Sequence, residues 1–245
     1  MKETREFLCI ADHVDPLIYT ASVKERFGHV DAVFSCGDLK RNYYEFIVSM
    51  LNVPFIYVLG NHSPFSLDKS DLSSDYDFSG GGCNDSDLRR RKLFGGGLHV
   101  DGRVTYLKKQ DLIAAGFGGS IRYNQGDNQY SEVEMFFRIL KIIPKLYFNK
   151  IFRGRYLDIL ITHAPPRWVN DREDLCHHGF KVFRWFLRRF RPACMIHGHI
   201  HLYDCNAVRE TSYEGVPVIN VYDHYILKFP LERKDNEKSE PADLR

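Results

Sequence analysis

Acidic, amide and imidazole side chains recur where short apolar runs stop: Asp12, Asp38, Asn61-His62, His163 and His199-Ile200-His201. One polar residue after a strand is ordinary loop composition. Five such positions at one edge of a sheet form a donor set able to hold divalent cations. Carboxylate, amide and imidazole together suit Mn, Fe, Zn, Ni or Co better than Ca or a thiolate-bound zinc. Cysteine plays no part in this set. The six cysteines include no C-x-x-C pair, and Cys9, Cys36 and Cys194 lie inside apolar segments, as buried reduced thiols do.

The elements that must position these residues read as repeated β-α units. Residues 7–11 are a continuous apolar run, the mark of a strand buried on both faces. A helix is expected over 16–27, with Pro16 in its first turn and Gly28 after its end. Strands at 32–36 and 55–59 flank a helix at 43–51. Residues 104–107 and 112–117 read as a hairpin. Ser131 and Glu134 have capping-box spacing, and their helix is expected to stop before Pro144. Strands at 157–161, 193–196, 216–221 and 225–229 complete the set. A helix at 180–190 places Phe180, Phe183, Leu187 and Phe190 on a core face, with Arg184, Arg188, Arg189 and Arg191 solvated near its negative end. Polar groups at strand C-terminal ends put the site along one sheet edge.

Composition bounds the rest. The chain has 245 residues, 44% of them hydrophobic and 27% charged, which supports a full core. Residues 1–232 read as a single domain, with a Ser/Asp/Gly-rich loop insertion at about 63–98. A charged tail follows over 233–245. The balance of 34 basic against 32 acidic side chains, net +2, gives no global field to recruit nucleic acid or membrane. No apolar run reaches the roughly 18 residues of a spanning helix. The first residues carry no secretory h-region, so a cytoplasmic protein is expected. The glycine triplets lack the Lys-Ser/Thr of a P-loop, and no G-x-G-x-x-G opens a helix, which speaks against nucleotide-dependent chemistry.

The ordered set Asp12, Gly37-Asp38, Gly60-Asn61-His62, Thr162-His163 and Gly198-His199-Ile200-His201 resembles the calcineurin-like metallophosphoesterase superfamily, in the manner of its bacterial single-domain members. The resemblance spans most of the chain. It implies a four-layered α/β/β/α sandwich of two mixed, largely parallel sheets, with the metal site at strand C-terminal ends. It also implies two divalent ions, manganese first among the candidates. Asp12 and His201 would hold the first, Asp38 would bridge both, and Asn61, His163 and His199 would complete the second. Two such cations acidify a bridging water and stabilise charge on phosphorus. His62 would be the general acid or an electrostatic stabiliser.

Two departures stand out. Val14 occupies the position where the family carries a second ligand of the first motif, and His13 lies one residue early. Neighbours on an extended chain face opposite ways, so His13 is read as lying outside the coordination sphere. Ser63 stands where an acid usually follows G-N-H. In the stretch 118–124, Arg122 and Asn124 are candidate substrate contacts, because guanidinium forks onto phosphate oxygens. His177 or His178 could line the site. The function implied is hydrolysis of a small phosphomonoester or phosphodiester through a metal-bridging hydroxide. The alternatives are a non-catalytic scaffold or binding protein on this fold, which Val14 favours, and a nuclease, which the near-neutral charge opposes. Nothing in the chain speaks to its oligomeric state.

Overall fold

The computed structural model describes residues 4–62, 96–204 and 206–230. The 63–95 part of the expected insertion and the tail lie outside the described residues. Strand β1 (Thr4–Ala11) shows how the layers arise. Its side chains alternate between faces, as extended backbone requires. Phe7, Cys9 and Ala11 pack into a core between two sheets, and Leu8 and Ile10 join a second core under helices.

The first sheet has the order β13-β1-β2-β3-β4. It adds β2 (Ala32–Ser35), β3 (Phe55–Tyr57) and β4 (Leu98–His99), all parallel, and β13 (Asp223–Pro230), antiparallel to β1. Helices α1 (Val23–Phe27) and α2 (Arg41–Leu51) cover its outer face. The second sheet has the order β11-β12-β10-β9-β6-β5. Its central strands β6 (Leu112–Phe117), β9 (Ile159–Thr162), β10 (Cys194–His197) and β12 (Val216–Asn220) are parallel. The edges β5 (Arg103–Leu107) and β11 (Glu210–Tyr213) are antiparallel. Helices α3 (Glu132–Arg153) and α4 (Lys181–Phe190) cover the far side. The result is the expected α/β/β/α sandwich, each interior face lined by one phase of the strand alternation. The four cysteines among the described residues are free, with Cys9, Cys36 and Cys194 buried.

Three elements depart from the sequence reading. The helix expected over 16–27 is a run of turns that becomes helical only over α1. Asp15 explains this: its side chain accepts the Leu17 amide at 2.8 Å, closing a local turn that competes with the helix. The helix expected to end before Pro144 continues to Arg153. Pro144 is exposed, whereas Met135, Ile139, Ile142, Leu146 and Asn149 keep an unbroken buried stripe beneath it. That stripe offsets one missing backbone bond. A small parallel ribbon, β7 (Ser120–Ile121) with β8 (Gln129–Tyr130), shapes the loop after β6. No helix among the described residues is long and apolar enough to cross a membrane.

Candidate metal centre

Parallel strands deliver their C-terminal ends to one edge, and the predicted ligands leave from there. Asp12 follows β1, Asp38 follows β2, Asn61 and His62 follow β3, His163 follows β9 and His199 follows β10. Asp12, Asp38 and His199 have φ of +66°, +54° and +68°. Left-handed backbone is strained for residues with a Cβ and collects at functional sites.

The residues converge on His163, which is fully buried. Ligand-capable atoms of Asp12, Asp38 and His163 all lie within 4.8 Å of one another. His163 Nε2 is 3.3 Å from Asp38 Oδ2 and 2.8 Å from Asn61 Oδ1, and its Nδ1 is 2.8 Å from the Cys36 carbonyl oxygen. The His199 ring centroid stands 4.8 Å from that of His163. The His199 amide donates to both Asp12 carboxylate oxygens at 3.0 and 2.9 Å. The His62 amide donates to Asp38 Oδ1 at 2.9 Å, and the His62 side chain is exposed.

Two glycines of the motifs leave room for this. A Cβ on Gly60 would sit 1.8 Å from Asp38 Oδ1, and one on Gly198 would sit 2.6 Å from Asp12 Oδ2. Only glycine lets the backbone approach the carboxylates so closely.

Electrostatics show what the cluster wants. Burial pushes the Asp12 carboxyl up to about 7. Asp38 is also desolvated, yet the adjacent His163 imidazole and the His62 amide hold it below the ordinary carboxylate range. Burial alone would depress His163, but Asp38 and Asp12 raise it to about 9. Both its nitrogens face acceptors, as an imidazolium requires. Burial, then the charge of His163, pushes His199 down to about 3. Its Nε2 lies 2.7 Å from the Cys176 carbonyl, so Nδ1, which has no hydrogen-bond partner among the described residues, could accept a cation as a neutral ligand. Two adjacent buried carboxylates, a neutral imidazole and an amide oxygen form a hard and borderline donor set. A divalent ion fits this set.

His201 stands farther out. It is half-buried, its Nδ1 is 2.7 Å from the Tyr203 hydroxyl, and its ring packs 5.1 Å from that of Tyr222. Burial and then His177 depress its pKa, and the charges of Asp38 and His163 also reach it. His13 points elsewhere: its Nδ1 pairs with Asp223 at 2.6 Å on the surface. Val14 is partly buried and packs against the core beneath α1 and α2.

The substrate candidates are engaged in their own loop. Arg122 Nη2 donates to both Glu134 oxygens at 2.9 Å. Asn124 Oδ1 accepts from the Gly126 amide at 2.7 Å and from Gln129 Nε2 at 2.5 Å. The residue between them reaches the centre instead, since Asn61 Nδ2 donates to the Tyr123 hydroxyl at 3.1 Å. Sequence reasoning missed Tyr123, although it lies inside the stretch singled out for its neighbours. Of the two loop histidines, His177 flanks the site, its ring 5.4 Å from that of His199. His178 bonds the Glu173 carbonyl instead.

Comparison with known proteins bears on the fold and the family. The crystal structure of TT1561 from Thermus thermophilus matches with a TM-score of 0.57 at 12% identity, covering 94% of this chain and 100% of that one. A single mutant of Vps29 from Entamoeba histolytica matches with a TM-score of 0.33 at 12% identity, covering 88% of this chain and 72% of that one. No curated protein is similar enough in sequence to count as a match. The family model for calcineurin-like phosphoesterases matches residues 6–203, which contain every residue of the candidate centre, and the chain belongs to that family.

Proposed function

We propose that the protein is a metal-dependent hydrolase of a small phosphomonoester or phosphodiester, working in the cytoplasm with manganese as its first candidate metal. The observation that carries this reading is the convergence of Asp12, Asp38, Asn61, His163 and His199 from two sheets onto one buried point. Asp38, Asn61, His163 and His199 would hold one cation, and Asp12, Asp38 and His201 a second. Divalent cations there supply charge neutralisation for phosphoryl oxygens and activation of the attacking water.

The chain's own residues do the remaining work. Asp38 is fixed by the His62 amide, so the backbone that orients the shared carboxylate also presents His62. The exposed His62 imidazole can protonate the leaving oxygen or bind a phosphoryl oxygen. Tyr123 fixes the Asn61 amide, so that its oxygen faces His163. Arg122 and Asn124 act as substrate contacts if phosphate draws them from Glu134 and Gln129. A surface Arg–carboxylate pair is weak enough for that exchange.

A non-catalytic scaffold is the second reading. The observation favouring it is Val14, which packs against the core and offers the first site no donor. Metal analysis of the purified protein, followed by parallel assays on a chromogenic phosphomonoester and phosphodiester with added Mn, separates the two. Metal-dependent turnover of either substrate supports the enzyme. Bound metal with turnover of neither supports the scaffold.

A further inference from the structure

Helix α3 is apolar on two opposite sides. Its buried stripe faces the second sheet, as an amphipathic helix should. Val133, Phe137, Leu140, Pro144, Phe148 and Ile151 recur at helical spacing on the opposite side, and all are exposed. Ile151 is 75% exposed, Phe137 57% and Phe148 50%, beside Phe152 at 69%. A helix of 22 residues spans about 33 Å, so this second stripe is long and continuous. Patches of this kind mark docking surfaces.

Charge says what the stripe faces. No acidic residue occurs between Met135 and Arg153, nor anywhere in α4. Lys141 and Lys145 flank the stripe, exposed and without an ion pair among the described residues. Helix α4 extends the layer, with Trp185 against Phe136 and Arg189 against Tyr147. The acids at the layer's edges are already engaged: Glu134 with Arg122, Glu132 with the amides of Lys181 and Val182, and Glu214 with Arg188. The net charge of +2 averages over this asymmetry. Among the described residues this face is cationic and aromatic, and the acids at its edges are paired.

We propose that the outer face of α3, extended by α4, docks on an anionic lipid surface. Lysines beside a row of large apolar side chains meet the two demands of a membrane interface, headgroup charge and an acyl boundary. Duplex nucleic acid would match the charge but would leave the apolar stripe exposed to water. A second copy of the chain would cover the stripe but would bring like charges together.

The test is sedimentation of the full chain with vesicles of phosphatidylcholine alone and of phosphatidylcholine mixed with phosphatidylglycerol. The expected result is binding to the mixed vesicles only, weakened by salt. The Lys141→Gln/Lys145→Gln double variant should bind about thirtyfold more weakly, at about 1 kcal/mol per lysine. The Phe148→Ser/Ile151→Ser variant should lose about tenfold or more. Neither pair belongs to the buried stripe, and unchanged thermal unfolding of the lysine variant confirms that its fold is intact. Equal binding to both vesicle types, or to neither, overturns the proposal. So does concentration-dependent dimerisation abolished by the Phe148/Ile151 changes, or binding of duplex DNA in preference to vesicles.

Discussion

His62 and Asp38 are tied by one hydrogen bond, yet they should fail differently when changed. The His62 side chain lies outside the buried cluster, so His62→Ala should leave the metal content intact. If His62 protonates the leaving oxygen, the loss in kcat should reach about 10²–10⁴ for alkyl esters and shrink for nitrophenyl esters, which need no acid. An equal loss for both would reduce His62 to a positioning residue. His163 and Asp12 make a second residue-scale prediction. His163, raised to about 9, holds a proton below that pH, and so does Asp12 below about 7. A cation must displace both. Metal affinity should therefore climb as pH rises through about 7 and on towards 9, with proton release measurable by calorimetry in buffers of different ionisation enthalpy. The sign for stability is opposite in the metal-free protein. A raised His163 stabilises the fold below its unfolded pKa, and that contribution disappears as pH climbs through about 9. Metal affinity that stays flat with pH would mean that neither group is a ligand. The residue pattern made this cluster legible before any coordinates, because each candidate ligand follows an apolar strand. Tyr123 and the Cys36 carbonyl were not legible. Their roles come from what stands across the sheet edge, which no local spacing encodes.

Strands were the most readable elements, because burial on both faces writes them as continuous apolar runs, as in residues 7–11 and 112–117. The two-residue strands β4, β7 and β8 carry no such run, and they pair only because neighbouring elements hold them in place. Helix ends were less readable for a different reason. Local signals compete with tertiary burial, and each won once: Asp15 shortened the first helix and the buried stripe carried α3 past Pro144. Pro144 lacks the amide that would bond the Leu140 carbonyl, and its ring is exposed. Pro144→Ala should therefore stabilise the protein, by up to about 3 kcal/mol from the interior cost of proline. At about 2–4 °C per kcal/mol, calorimetry should resolve a rise in Tm. A fall in Tm would show instead that α3 needs a proline bend to follow the second sheet.

The two sheets meet at the candidate metal centre, and cation binding there would be linked to the stability of the whole molecule. Asp12, Asp38 and Asn61 belong to the first sheet, while His163, His199 and His201 belong to the second. An ion held by these residues would join the halves across the central core and offset the charge of two buried carboxylates. The unfolded chain has no such site, so saturating metal must raise Tm. At a hundredfold excess over Kd the gain is about 2.7 kcal/mol per site, or roughly 5–11 °C for a chain of this size. The rise should come in two steps. In the proposed assignment Asp38, Asn61, His163 and His199 would give the second site four donors, whereas Val14 packs against the core and His13 turns to Asp223, which would leave the first site only Asp12, Asp38 and His201. A water can fill that gap, but without a held geometry, so the first site should load last and empty first under chelator. Asp38→Asn would remove the proposed shared ligand and should flatten both steps together, with a loss of metal affinity above about a hundredfold. Thermal unfolding across a Mn titration, after dialysis against chelator, reads all of this. A single step of full height would mean that another group completes the first site. No step at all would mean that the buried carboxylates do not hold a cation between the sheets.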